Sequence, residues 1–83
     1  LDTYAWVLYK SGKYEEALKY IEKAIRNGGQ NNAVILEHYG DIMYKNGNRE
    51  KALEIWKDAQ SAGKGTELLE QKILEGKLIE NKP

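Results

Sequence analysis

Two stretches of this chain carry one pattern, offset by 35 residues. Leu1, Tyr4, Tyr9, Lys10 and Gly12 recur as Leu36, Tyr39, Tyr44, Lys45 and Gly47, and Glu15, Ala17-Leu18, Ala24 and Gly28 recur as Glu50, Ala52-Leu53, Ala59 and Gly63. A period of this size marks a stacked architecture, in which one supersecondary unit cannot bury its apolar face alone and needs a neighbour. Such stacks build a surface along which another molecule lies, so the repeat points to a binding module before it points to catalysis.

Inside each copy the apolar spacing is helical. Leu1, Tyr4, Ala5 and Leu8 fall at i, i+3, i+4 and i+7, and Gly12 stops that helix. A second stripe, Tyr14, Ala17, Leu18, Ile21, Ala24 and Ile25, ends at Asn27-Gly28-Gly29. With so short a connection the two helices must be antiparallel neighbours. The second copy repeats this with Leu36, Tyr39, Gly40 and Met43, then Ala52, Leu53, Trp56 and Ala59. Glycine inside a helix is unfavourable by about 1 kcal/mol against alanine, so Gly40 predicts an approach too close for a side chain, with Trp56 as a large core residue nearby. From Gly65 the repeat stops. Thr66 is placed to cap a helix with Glu67 and Glu70 in its first turn, Leu69 and Ile73 face inward, and Gly76 ends or kinks it. The expected architecture is all-α: helix pairs over 1–29 and 33–64 and a C-terminal capping helix over 66–80, an α-solenoid.

The spacing of Leu36, Tyr39-Gly40, Gly47, Ala52-Leu53, Trp56 and Ala59 resembles the tetratricopeptide repeat (TPR), as does that of Leu1, Tyr4-Ala5, Gly12, Tyr14, Ala17-Leu18, Ile21 and Ala24 in the first copy. The period is one residue longer than the family's 34, and the family's proline after the second helix is absent. The resemblance implies a non-enzymatic scaffold that presents a concave groove to a protein or peptide. It implies groove-lining roles for Asp2, Trp6, Tyr9 and Lys10 in the first copy. In the second it implies them for Val34, Glu37, Asp41, Tyr44 and Lys45. The carboxylates among these positions predict a groove that rejects acidic peptides and favours neutral, aromatic or basic segments. The alternative is a structural end of a longer TPR protein, or a self-association module, whose groove binds nothing.

Other classes find little support. The 83 residues carry 13 basic and 13 acidic side chains, so no net field draws the chain to nucleic acid. Cysteine is absent, which removes thiolate chemistry and disulfides. His38 is the sole histidine, too few ligands for a zinc site, and is expected on the surface; an enzyme centred on it is the weakest option. No cofactor or metal is implied. No apolar run reaches the roughly 20 residues of a membrane span. The chain starts without Met inside an expected helix, which reads as a piece of a longer protein. A cytoplasmic and an exported parent both fit. Leu1, Tyr4 and Leu8 would leave the first helix with an apolar face, so a homo-oligomer through the N-terminal helix is expected at high concentration.

Overall fold

The computed structural model describes residues 3–79, so Leu1, Asp2 and the end of the expected 66–80 cap lie outside the described residues. Five α-helices follow one another: α1 (Thr3–Lys10), α2 (Tyr14–Arg26), α3 (Ala33–Lys45), α4 (Arg49–Ala62) and α5 (Leu69–Glu75). A short 3-10 turn, Gly29–Asn31, lies between α2 and α3. The fold is all-helical, and no strand occurs among the described residues.

The two copies close their first helices in the same way. Gly12 and Gly47 take φ of 80° and 87°, the left-handed region where only glycine is unstrained. Gly12 N–H donates to Tyr9 O and Lys13 N–H to Leu8 O; Gly47 N–H donates to Tyr44 O and Asn48 N–H to Met43 O. This is the Schellman arrangement, which satisfies the last carbonyls and turns the chain back. Asparagines supply the starts in the second copy. Asn32 Oδ1 accepts from Ile35 N–H at 3.1 Å, and Asn48 Oδ1 accepts from Lys51 N–H at 3.4 Å. Such caps contribute about 1 kcal/mol each. Asn46, just before Gly47, ties the two units together: its side-chain amide donates to Tyr14 O at 3.1 Å and to Ile42 O at 3.0 Å.

The pairs α1–α2 and α3–α4 stack through α2 against α3, and α5 lies on α4. One buried cluster joins Ala5, Leu8, Tyr9, Ala17, Ile21, Ile35 and Ile42. A second joins Leu36, Ala52, Trp56, Ala59 and Leu69. Ile25 and Leu78 pack against both. At Gly40 the expectation of close approach holds: a Cβ there would come within 2.4 Å of Trp56 Cδ1 and Nε1. Tyr4 stays on the open apolar face expected of the first helix. It is 56% exposed, and its ring stands edge-on to Tyr20, because no described helix lies over that side of α1. Leu8 is buried, so the exposed apolar side chain of α1 beside Tyr4 is Val7.

The last helix is shorter than the 66–80 segment expected. Thr66 does not open it. Its hydroxyl accepts from Leu68 N–H at 3.2 Å, while its backbone N–H and hydroxyl are both drawn to Glu37. Helical geometry begins only at Leu69 and ends at Gly76.

Candidate functional site

The face formed by the first helix of each pair carries the residues singled out in the sequence. It divides into an open half on α1 and a closed half on α3.

On α1, Trp6 is half-buried. Its ring stacks on Tyr9, with centroids 4.6 Å apart, and on His38 of α3 at 4.0 Å. The Lys10 ammonium lies 5.2 Å from the Trp6 ring centroid and 6.0 Å from that of Tyr9, within reach of cation–π attraction. Tyr9 departs from its expected groove role. It is only 3% exposed and belongs to the first core cluster, because the ring packs back onto Trp6 and Tyr14. His38 is likewise no free surface histidine: it is half-buried beneath Trp6.

On α3, Glu37 and Asp41 sit one turn apart and point at α5. Glu37 is 0% exposed and Asp41 3%, so neither lines an open groove. Lys72, itself buried, extends from α5 and donates to Glu37 Oε2 at 2.7 Å and to Asp41 Oδ1 and Oδ2 at 2.9 and 3.0 Å. Trp56 Nε1 donates to Asp41 Oδ1 at 3.0 Å. Thr66 donates to Glu37 through its N–H at 2.7 Å and its hydroxyl at 2.5 Å. No side-chain polar atom buried among the described residues lacks a partner. The sign argument drawn from these carboxylates therefore changes: they are neutralised in part from within the chain rather than presented to a ligand.

The cluster holds two carboxylates and one ammonium, and their environments separate them. Burial pushes the Asp41 carboxyl up to about 6, with Lys72 offsetting only part of this and the Glu37 charge adding to it. Burial also pushes Glu37 up, but hydrogen bonds from Lys72 and Thr66 outweigh it and leave Glu37 below its ordinary value. On the other side of α3, Tyr39 donates to Glu22 Oε2 at 3.2 Å. Its hydroxyl is pushed up by burial and by the Glu22 charge.

The remaining candidates are spread out. Val34, Lys10 and Lys45 are exposed. Lys45 reaches over the Tyr14 ring at 5.8 Å. Tyr44 is half-buried and stacks on Trp56 with centroids 5.9 Å apart, and the Arg49 guanidinium lies 5.9 Å from its ring centroid. Asp2 lies outside the described residues. A pocket of about 120 Å³ runs between the two halves. Trp6, Lys10 and His38 form one wall, Leu68, Lys72 and Ile79 the other, and Glu37 and Asp41 lie at its base. The sequence did not single out the second wall. Its signal was present in one residue: Lys72 falls three positions after Leu69 and beside Ile73, a lysine on an apolar stripe.

Among the described residues no group of three or more His, Cys, Asp or Glu side chains is placed to hold a metal. No helix among them is long and apolar enough to cross a membrane. In comparison with known proteins, a family model described as a tetratricopeptide repeat-like domain matches residues 4–81. No curated protein and no solved structure matches the chain.

Proposed function

The chain belongs to the tetratricopeptide repeat-like family, and from that premise we propose that it is a protein-interaction module whose ligand-contacting surface is the open half of the concave face, centred on Trp6. Modules of this family are helical-repeat scaffolds that typically bind proteins and are generally not catalytic. The single observation that carries the finer reading is the setting of Trp6. Its indole is half-buried in the wall of a pocket, its orientation fixed by Tyr9 and His38, and Lys10 lies over it. A rigid aromatic ring lining a concave pocket is the kind of group that dominates binding energy at interfaces. Its partner would be a polypeptide segment that inserts an apolar or aromatic side chain between Trp6 and Ile79.

A second reading, a structural end whose groove binds nothing, is favoured by the burial of Glu37 and Asp41 under α5. The two readings differ in one measurement. A displayed peptide library selected on the wild-type chain should yield a common motif, and Trp6→Ala should lose those binders by tenfold or more at a temperature where its helical spectrum still matches the wild type. If no selected peptide depends on Trp6 or Lys10, the groove reading fails and the structural end is preferred.

A further inference from the structure

Helix α5 is the least self-sufficient part of the fold. It has seven residues and no side-chain cap, well short of the roughly 12–15 residues at which an isolated helix becomes even marginally stable. Within it only Leu69 and Lys72 are buried, and Leu74 is 77% exposed. It follows α4 through the non-helical stretch 63–68. There Gly65, at φ 66°, passes so close to Glu37 Oε1 that a Cβ would come within 2.9 Å. The first core cluster contains no α5 residue; the second contains Leu69, with Ile73 partly buried against it. What fastens the helix is Leu69 in the second core cluster with Ile73 beside it, Lys72 between Glu37 and Asp41, the Thr66 bonds to Glu37, and an exposed 3.4 Å bond from Arg49 Nε to Gly76 O. Segments with few buried apolar contacts open on their own, below the free energy of global unfolding.

We propose that α5 is a displaceable strap, held across the groove positions of α3 by one lysine, and that the segment which displaces it is a partner's leucine- and lysine-bearing stretch that brings its own ammonium to Glu37 and Asp41. The chemistry of that occupant follows from the surface. Two carboxylates on one helix face cannot be buried by a neutral or acidic segment without leaving charge unpaired. The chain's own strap shows the pattern that fits: a leucine against the Leu36–Trp56 cluster and a lysine three residues later. Because its linker is short, the strap acts at a local concentration on the order of millimolar. A partner therefore displaces it by also contacting the neighbouring pocket wall, formed by Trp6 and Lys10. The identity of the occupant rests on the proposal that this face takes polypeptide; the strap itself does not.

Native-state hydrogen exchange on the full chain, in urea below the unfolding transition, tests the strap without any variant. The hydrogen-bonded amides of α5, from Lys72 N–H to Gly76 N–H, are expected to exchange together and at least tenfold faster than the slowest amides of α4, with a urea dependence clearly below that of global unfolding. In Lys72→Met they should speed up about tenfold further, with α1 and α2 unchanged. If α5 amides in the wild type follow the global unfolding isotherm, α5 is ordinary core and the strap is overturned. A labelled peptide of residues 66–79 tests the occupant. It should bind the Lys72→Met chain and fail to bind the wild type at the same concentration, and the same peptide with methionine at position 72 should bind at least tenfold more weakly. Equal binding of the two peptides, or no binding of either, overturns the lysine-bearing occupant. Trp6 is untouched in both arms, so these outcomes are separate from the Trp6-dependent peptide selection.

Discussion

The contact between Gly40 and Trp56 gives the sharpest stability test. Place an alanine at position 40: its Cβ would stand 2.4 Å from Trp56 Cδ1 and Nε1 and 3.2 Å from Ala52 O. Carbon atoms rest about 3.5–4.0 Å apart, so the indole must withdraw by roughly 1 Å or more. It has nowhere to go, because Trp56 is fully buried and its Nε1 is fixed on Asp41 Oδ1, which Lys72 also holds. Three effects then compete. Alanine in place of a helical glycine stabilises by about 1 kcal/mol. Overpacking costs about 1–3 kcal/mol. Drawing the indole off a charged acceptor costs a further ~1.5–3 kcal/mol. The net expectation for Gly40→Ala is a loss of about 2–4 kcal/mol, and for Gly40→Leu more. At roughly 4–8 °C per kcal/mol for a domain of this size, the melting midpoint should fall by about 10–30 °C. Urea unfolding of Gly40→Ala, Trp56→Phe and the double variant measures the coupling directly, since a smaller ring should relieve the clash and make the pair non-additive by about 1–2 kcal/mol. A neutral or stabilising Gly40→Ala would mean that the helices part without cost and that the glycine is not required by packing.

Two further outcomes follow from the same structure. Asp41 has a folded value of about 6 against an ordinary 3.8, so the folded chain holds that proton more tightly than the unfolded one. Stability should therefore rise as pH falls from 7 through 6, by at most about 3 kcal/mol from this group. Glu37, held below its ordinary 4.5, stabilises above that pH and loses its contribution as pH falls further. From these two groups the urea midpoint should thus peak at roughly pH 4–4.5, and Asp41→Asn should abolish the rise between pH 7 and 5; a flat wild-type profile there contradicts the assignment. Tyr4 and Val7, both exposed on α1, are expected to drive weak self-association that Val7→Glu removes, and a strict monomer by sedimentation at millimolar concentration refutes it.

What the sequence made legible, and what it did not, follows one physical division. The 35-residue period specifies elements, because a helix stop, an inward stripe and a small residue at a close contact are each set within a single unit. Gly12 and Gly47, Ala17 and Ala52, and Ala24 and Ala59 therefore read correctly from spacing. Environment is not periodic, because each face is covered by whatever element comes next. Ile42 lies in a cluster with Ala17 and Ile21 of α2, while its counterpart Val7, 35 residues earlier, is exposed; Tyr4 and Tyr39 differ for the same reason. The resemblance implies groove roles for Glu37 and Asp41 from their position within the repeat, but both are buried. Their burial comes from α5, a segment outside the period, through Lys72, which lies 35 and 31 residues from them in sequence. In the repeat itself, that partner has no counterpart. The residue that could have exposed it is the lysine on the Leu69–Ile73 stripe, because a buried cation requires an anion and α3 offers two carboxylates one turn apart. In a stacked fold, then, the period locates the helices, while the charge that breaks the stripe locates the contact specific to this chain.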